Sequence, residues 1–204
     1  MARLQIPVHS YTLRSTPASP ARLVNCYPEA LPADAKTQLI LSRAPGVASF
    51  SSIGNGPIRG MHGAFGYLFV VTGTDLYRFD SAAGVLSMGT IPGTGLVSMD
   101  HNIDTLVIVA EPDAYTCDPS TAGSVAQITD PDFTSRGAKY VKFVDNYLLF
   151  IEPNSGRFFG ADVGSATSYD ALDFATAEAA PDDLVGMTVA VSYTHLTLPT
   201  NREV

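Results

Sequence analysis

Short apolar blocks, not helical stripes, set the pattern of this chain. Leu68-Phe69-Val70-Val71 recurs as Leu106-Val107-Ile108-Val109 and again as Leu148-Leu149-Phe150-Ile151, at spacings of 38 and then 42 residues. The first spacing is kept by other landmarks: Met61 with Met99, Tyr77 with Tyr115, Asp80 with Asp118. In the third copy Phe158 or Phe159 takes the aromatic place and Asp162 the acidic one, and Val185-Gly186-Met187 matches the opening of a fourth. Each copy predicts strand, turn, buried strand, turn, a strand ending in Asp, then a Gly-containing turn such as 81–84 or 120–123. Blocks rich in β-formers and bounded by Gly, Asp, Asn and Pro are strand signals. Nowhere do apolar residues hold helical spacing for three turns. Residues 169–179 come closest, and Asp173 and Thr176 break the stripe.

A period near 40 with about four short strands per copy predicts an all-β fold, a partial β-propeller of about three four-stranded blades plus the start of a fourth. One small twisted sheet cannot cover both of its apolar faces, so neighbouring blades must bury them. A β-sandwich or β-solenoid would share the short strands but would not preserve aromatic and Asp landmarks at a fixed spacing. Before the repeat, residues 1–56 carry prolines at 7, 17, 20, 28, 32 and 45, which exclude long helices and central strands. They are expected to form an irregular N-terminal arm with short strands at most, at Leu4-Gln5-Ile6 and at 37–41. The blades are expected over 57–190.

The final stretch, 191–204, reads as foreign. Back-translated, Val191-Ser192-Tyr193-Thr194-His195-Leu196 fits the mosaic end of a transposon-based sequencing adapter, and the following Thr-Leu-Pro-Thr fits its continuation. Such a scar is set aside in fold reasoning. The natural chain is then expected to have been cut near Ala190, leaving a truncated fragment that exposes an unpaired blade edge and tends to aggregate.

Charge narrows the classes of function. The net charge is −8, and the basic residues are scattered, with lysines only at 36, 139 and 142. Duplex binding draws on clustered Lys and Arg, so a sequence-specific nucleic-acid binder is not expected. No apolar run reaches the length of a membrane helix, and the N-terminus has no continuous apolar signal core. Cys26 and Cys117, far apart, read as two buried thiols in a protein made in the cytosol.

No catalytic, cofactor or metal residues emerge. His9, His62, His101 and His195 form no HxH, HExxH or Cys/His pattern. Asp130-Pro131-Asp132 and Asp182-Asp183 lack the calcium-loop pattern and read as solvated turn acids. Nucleophile elbows, P-loops and dinucleotide fingerprints are missing from the sequence, and Gly54-Asn55-Gly56 and Gly93-Thr94-Gly95 precede strands. Asp80 and Asp118 are expected to cap their own turns, and Tyr77 and Tyr115 to pack blades.

Several segments, in order, resemble a known family. These are 22–29 (Arg-Leu-Val-Asn-Cys-Tyr-Pro-Glu), 43–47 (Arg-Ala-Pro-Gly-Val), Ile58-Arg59-Gly60-Met61, Leu76-Tyr77, Val97-Ser98-Met99 and the acidic 174–187. They are similar to the packaged-DNA stabilisation, or tail accessory (head-completion), proteins of Salmonella-type short-tailed phages. The resemblance implies a structural virion protein of the head-to-tail connector, made in the bacterial host cytoplasm, that helps close the portal and retain DNA by assembly and not by catalysis. It further implies a homo-oligomeric ring under the portal and its adaptor, to which tail needle and spikes attach. Asn25, Tyr27 and Glu29, outside the repeat, are the residues expected to contact a partner. Two other classes stay open: a propeller hydrolase, or a ligand-binding propeller, with its site in the missing C-terminal portion.

Overall fold

A computed structural model of the chain describes residues 23–37, 39–54, 56–177 and 182–189, together with the backbone of 196–197. The expected strand at Leu4-Gln5-Ile6 lies outside these residues, as does nearly all of the stretch read as adapter. The chain divides into two compact units, residues 1–50 and 51–204.

In the first unit, β1 (Cys26–Ala30) and β2 (Leu39–Arg43) form an antiparallel hairpin with Pro28 opposite Leu41. The arm is therefore less irregular than its prolines suggest. A two-stranded ribbon consists only of edges, and an edge strand tolerates a proline that a central strand rejects.

The second unit holds three four-stranded antiparallel sheets, each a meander in chain order. The first is β3 (Ile58–Ala64), β4 (Tyr67–Thr72), β5 (Asp75–Phe79) and β6 (Val85–Thr90). The second is β7 (Ser98–His101), β8 (Leu106–Ala110), β9 (Asp113–Cys117) and the short β10 (Ala126–Gln127). A single helical turn, α1 (Pro131–Thr134), leads into the third: β11 (Tyr140–Val144), β12 (Tyr147–Ile151), β13 (Arg157–Ala161) and β14 (Tyr169–Thr176). After it, β15 (Thr188–Val189) pairs with β16 (Leu196–Thr197), opening a fourth sheet. The fold is all-β, a partial β-propeller. Of the region nearest to a helical pattern, 169–179, the described residues supply the edge strand β14 and not a helix.

The three apolar blocks are the second strands of the three blades, and their burial follows from the two-residue side-chain period. In β8, Leu106, Ile108 and Ala110 enter the core shared with blade one, while Val107 and Val109 enter the core shared with blade three. In β12, Leu148 and Phe150 face blade two, and Ile151 packs with Leu184 and Met187 at the start of the fourth sheet. Blades two and three thus rely on both flanks, as their continuous apolar blocks require. Register also settles the aromatic landmark. Tyr77 lies opposite Val70, Tyr115 opposite Ile108 and Phe159 opposite Phe150, so Phe159 and not Phe158 is the equivalent residue.

Turn chemistry repeats as well. Phe65-Gly66 joins β3 to β4 and Asp145-Asn146 joins β11 to β12, all four residues with positive φ, the two-residue hairpin geometry that suits twisted strands. Asp80 accepts bonds from the Ala82 and Gly84 amides, and Asp118 from the Ser120 amide and the Thr121 hydroxyl. Asp130-Pro131 differs from the turn expected for it: Asp130 caps α1 through the Asp132 amide and Pro131 takes its first turn, where a missing N–H costs nothing. The helix places Phe133 in the core between blades two and three.

Of the two thiols, Cys117 is fully buried, but Cys26 is only partly so, which corrects the expectation of two buried cysteines. Burial pushes the Cys117 thiol above its usual range, against a hydrogen bond with Ser124 that pulls it down. Because the thiolate is the reactive form, a thiol reagent applied to the native chain should label Cys26 and spare Cys117. Equal labelling rates, read by mass spectrometry, would contradict this.

Candidate functional site on the first strands of the blades

The first strands of successive blades, β3, β7, β11 and β15, are neighbours along one side of the arc. Each pairs with its own second strand on one edge only, which leaves the other edge to the adjoining blade. Equivalent positions follow from register: His62 lies opposite Phe69, Asp100 opposite Val107 and Lys142 opposite Leu149, the same place in three blades. The repeat therefore sets a histidine, a carboxylate and an ammonium in one row, with His101 one residue beyond Asp100.

These side chains meet. His62 Nε2 lies 2.9 Å from His101 Nδ1, and Asp100 Oδ1 lies 3.9 Å and 3.6 Å from the same two nitrogens. Lys142 Nζ is 3.2 Å from Asp100 Oδ2, which also accepts from the Phe143 amide at 3.2 Å. The Phe65 ring stands edge-on to His101 with centroids 4.8 Å apart. The Asp100 side chain is 13% exposed, that of His62 19% and that of His101 34%, so the cluster is sheltered yet open on the His101 side. Burial is the main cause that lowers the His62 pKa; Asp100 opposes it, and His101 and Lys142 add to it. The ring is held neutral near pH 7, and one of the two facing nitrogens donates to the other.

Next to this row, the edge amides of β11 are satisfied from β7. The Val141 N–H donates to Ser98 Oγ and the Phe143 N–H to Asp100 Oδ2, both at 3.2 Å. Beside it lies an open cleft of about 1010 Å³, lined in part by Arg59, Met61, His62, Lys139 and Lys142.

Arg59 fixes the junction of blades one and two. It is 4% exposed, and its guanidinium donates to the carbonyls of Gly95 (2.6 Å), Ile91 (2.8 Å), Gly73 (3.0 Å) and Pro92 (3.1 Å). Burial lowers its pKa, still leaving the group charged. Next to it, a Cβ on Gly60 would sit 2.6 Å from the Val97 side chain and 2.9 Å from its carbonyl oxygen. The Arg-Gly pair thus anchors the connector and lets it lie against β3, where the Val97 amide donates to the Arg59 carbonyl.

The residues expected to contact a partner sit in the other unit. Tyr27 and Glu29 are exposed on one face of β1, and Glu29 accepts from the Ser42 hydroxyl at 2.8 Å. Asn25 precedes the strand with φ 53°, and its carbonyl accepts from the Ala44 amide. Sequence motifs did not reveal the His62–Asp100–His101–Lys142 cluster, because each blade contributes only one or two residues. The signal was the repeat itself, since 62, 100 and 142 keep the spacings of the apolar blocks.

A family model described as bacteriophage P22 Gp10, beta-propeller, matches residues 14–196. The chain belongs to this family of phage stabilisation proteins. The match covers the arm segment 22–29 and the Arg59-Gly60 pair, and it reaches residue 196, inside the stretch read as adapter. Membership carries a phage structural role and a propeller fold, in line with the three blades. Among solved structures, the chain is similar to the Neurospora crassa Pan2 WD40 domain, at 10% identity and TM-score 0.44 over 70% of this chain and 46% of that one. It is likewise similar to the N-terminal domain of Nup159, at 13% identity and TM-score 0.44 over 77% and 40%. The chain spans less than half the length of either. No curated protein matches it. No helix among the described residues is long and apolar enough to cross a membrane.

Proposed function

We propose that this protein is a non-catalytic component of the phage head-to-tail connector, made in the host cytoplasm and built into the virion, where it helps close the portal and retain packaged DNA. The observation that carries this reading is the family match over 14–196. The physical character of the chain supports it. A closure needs protein–protein surfaces and no grip on phosphate, and a net charge of −8 repels DNA. The partners in this reading are the portal and adaptor ring, the tail needle or spikes, and further copies of the protein in a ring. The hairpin unit does the docking, with Asn25, Tyr27 and Glu29 at the contact; Tyr27, 49% exposed, is the aromatic anchor that interfaces favour.

The test is an amber codon in this gene of the parent phage. Heads should fill and then lose their DNA, measured as nuclease-sensitive genome in the lysate, and supplying the intact gene in trans should restore retention. Virions that lack the protein yet hold their DNA would refute the proposal. In the same assay, deleting residues 1–50 should keep the protein out of purified particles. Normal incorporation of that variant would remove the docking role from the hairpin unit.

A further inference from the structure

We propose that His62, Asp100 and His101 form a binding site for a divalent transition metal of the zinc class, joining blade one to blade two. Three donor atoms converge: His62 Nε2, His101 Nδ1 and Asp100 Oδ1, separated by 2.9, 3.6 and 3.9 Å. A triangle with those sides has its centre roughly 2.0 Å from every corner, the length of Zn–N and Zn–O bonds. Two imidazoles and a carboxylate are a borderline N/O donor set that suits zinc and its neighbours better than magnesium or calcium.

The surroundings orient the donors. Lys142 and the Phe143 amide both engage Asp100 Oδ2, which turns Oδ1 toward the rings, and the His101 amide donates to Oδ1 at 2.9 Å. Outer contacts of this kind set the direction of a ligating carboxylate. The Lys142 ammonium opposes a cation electrostatically, and direct bonds to three donors outweigh it. His101, the most exposed of the three, faces the side from which water can reach the ion. When the ion enters, it replaces the proton shared by the two rings, and the donating ring moves its N–H to its other nitrogen. His62 belongs to β3, while Asp100 and His101 belong to β7, so the ion ties adjacent blades.

The experiment is calorimetric titration of the full 204-residue chain with Zn²⁺ alone, alongside His101→Ala and His62→Ala/His101→Ala. One ion should bind per chain and raise the melting temperature. Removing His101 should weaken binding by at least about 100-fold, more than the loss of an outer contact does, and abolish the thermal shift. Absence of saturable binding, or equal affinity in the double variant, would overturn the proposal. Should the variants fail to fold, Co²⁺ bound to the unsubstituted chain decides. A visible spectrum of a nitrogen/oxygen site supports the assignment. A thiolate charge-transfer band, which would place the ion on cysteine, or the spectrum of the aqueous ion, overturns it.

Discussion

Replacing Phe133 by alanine should destabilise the protein by about 3–5 kcal/mol, the range for emptying a large aromatic from a packed core. The ring, delivered by α1, is buried among Phe150, Phe159 and Tyr169, with centroids 5.3, 5.7 and 4.9 Å away. Those partners belong to β12, β13 and β14, so they cannot close over the gap without moving the sheet. Edge-on and tilted packing adds to the area term. Phe133→Leu keeps most of the volume and should cost about 1–2 kcal/mol. Pulse proteolysis across a urea series measures both at low protein concentration. A loss below about 1 kcal/mol for the alanine variant would mean that α1 does not plug the space between blades two and three.

Arg59→Met should cost about 3 kcal/mol, with the loss falling on the junction of blades one and two. Four carbonyls lose a charged donor, and such bonds are worth about 1.5–3 kcal/mol each. Against this, removing a buried cation recovers several kcal/mol of desolvation, so the net effect is well below the sum of the bonds. Arg59→Lys should recover less than half of the loss, because an ammonium cannot reach carbonyls spread from Gly73 to Gly95 as a planar guanidinium does. Hydrogen exchange would localise the effect, with faster exchange at the Gly73, Ile91 and Val97 amides and little change in blade three. Full stability for the methionine variant would exclude this anchoring role.

The blades were legible in the sequence because a strand buried on both faces has to be apolar at every position, and three such blocks at near-equal spacing fit few architectures besides stacked blades. The hairpin of β1 and β2 was harder to see, since Pro28 argues against a strand until the strand is known to be an edge. Asp130-Pro131, read as a turn, instead starts α1, because one helical turn is too short to show an apolar period. His62 and His101 stayed hidden for a different reason. Metal motifs place ligands on one element, whereas here the fold brings one period back against the next. Aligning the polar residues with the same period as the apolar ones puts His62, Asp100 and Lys142 in one column without any coordinates.

The bonds from β11 to Ser98 and Asp100 bear on how freely the repeat can be rearranged. At the matching places blade one has Gly60 and His62, and blade three has Tyr140 and Lys142; none of these is the short acceptor that receives an edge amide here. Blade two is thus cut to fit blade three as its successor. These repeats are not interchangeable tiles but numbered stones of an arch, and duplicating or transposing one would leave a seam with its amides unanswered.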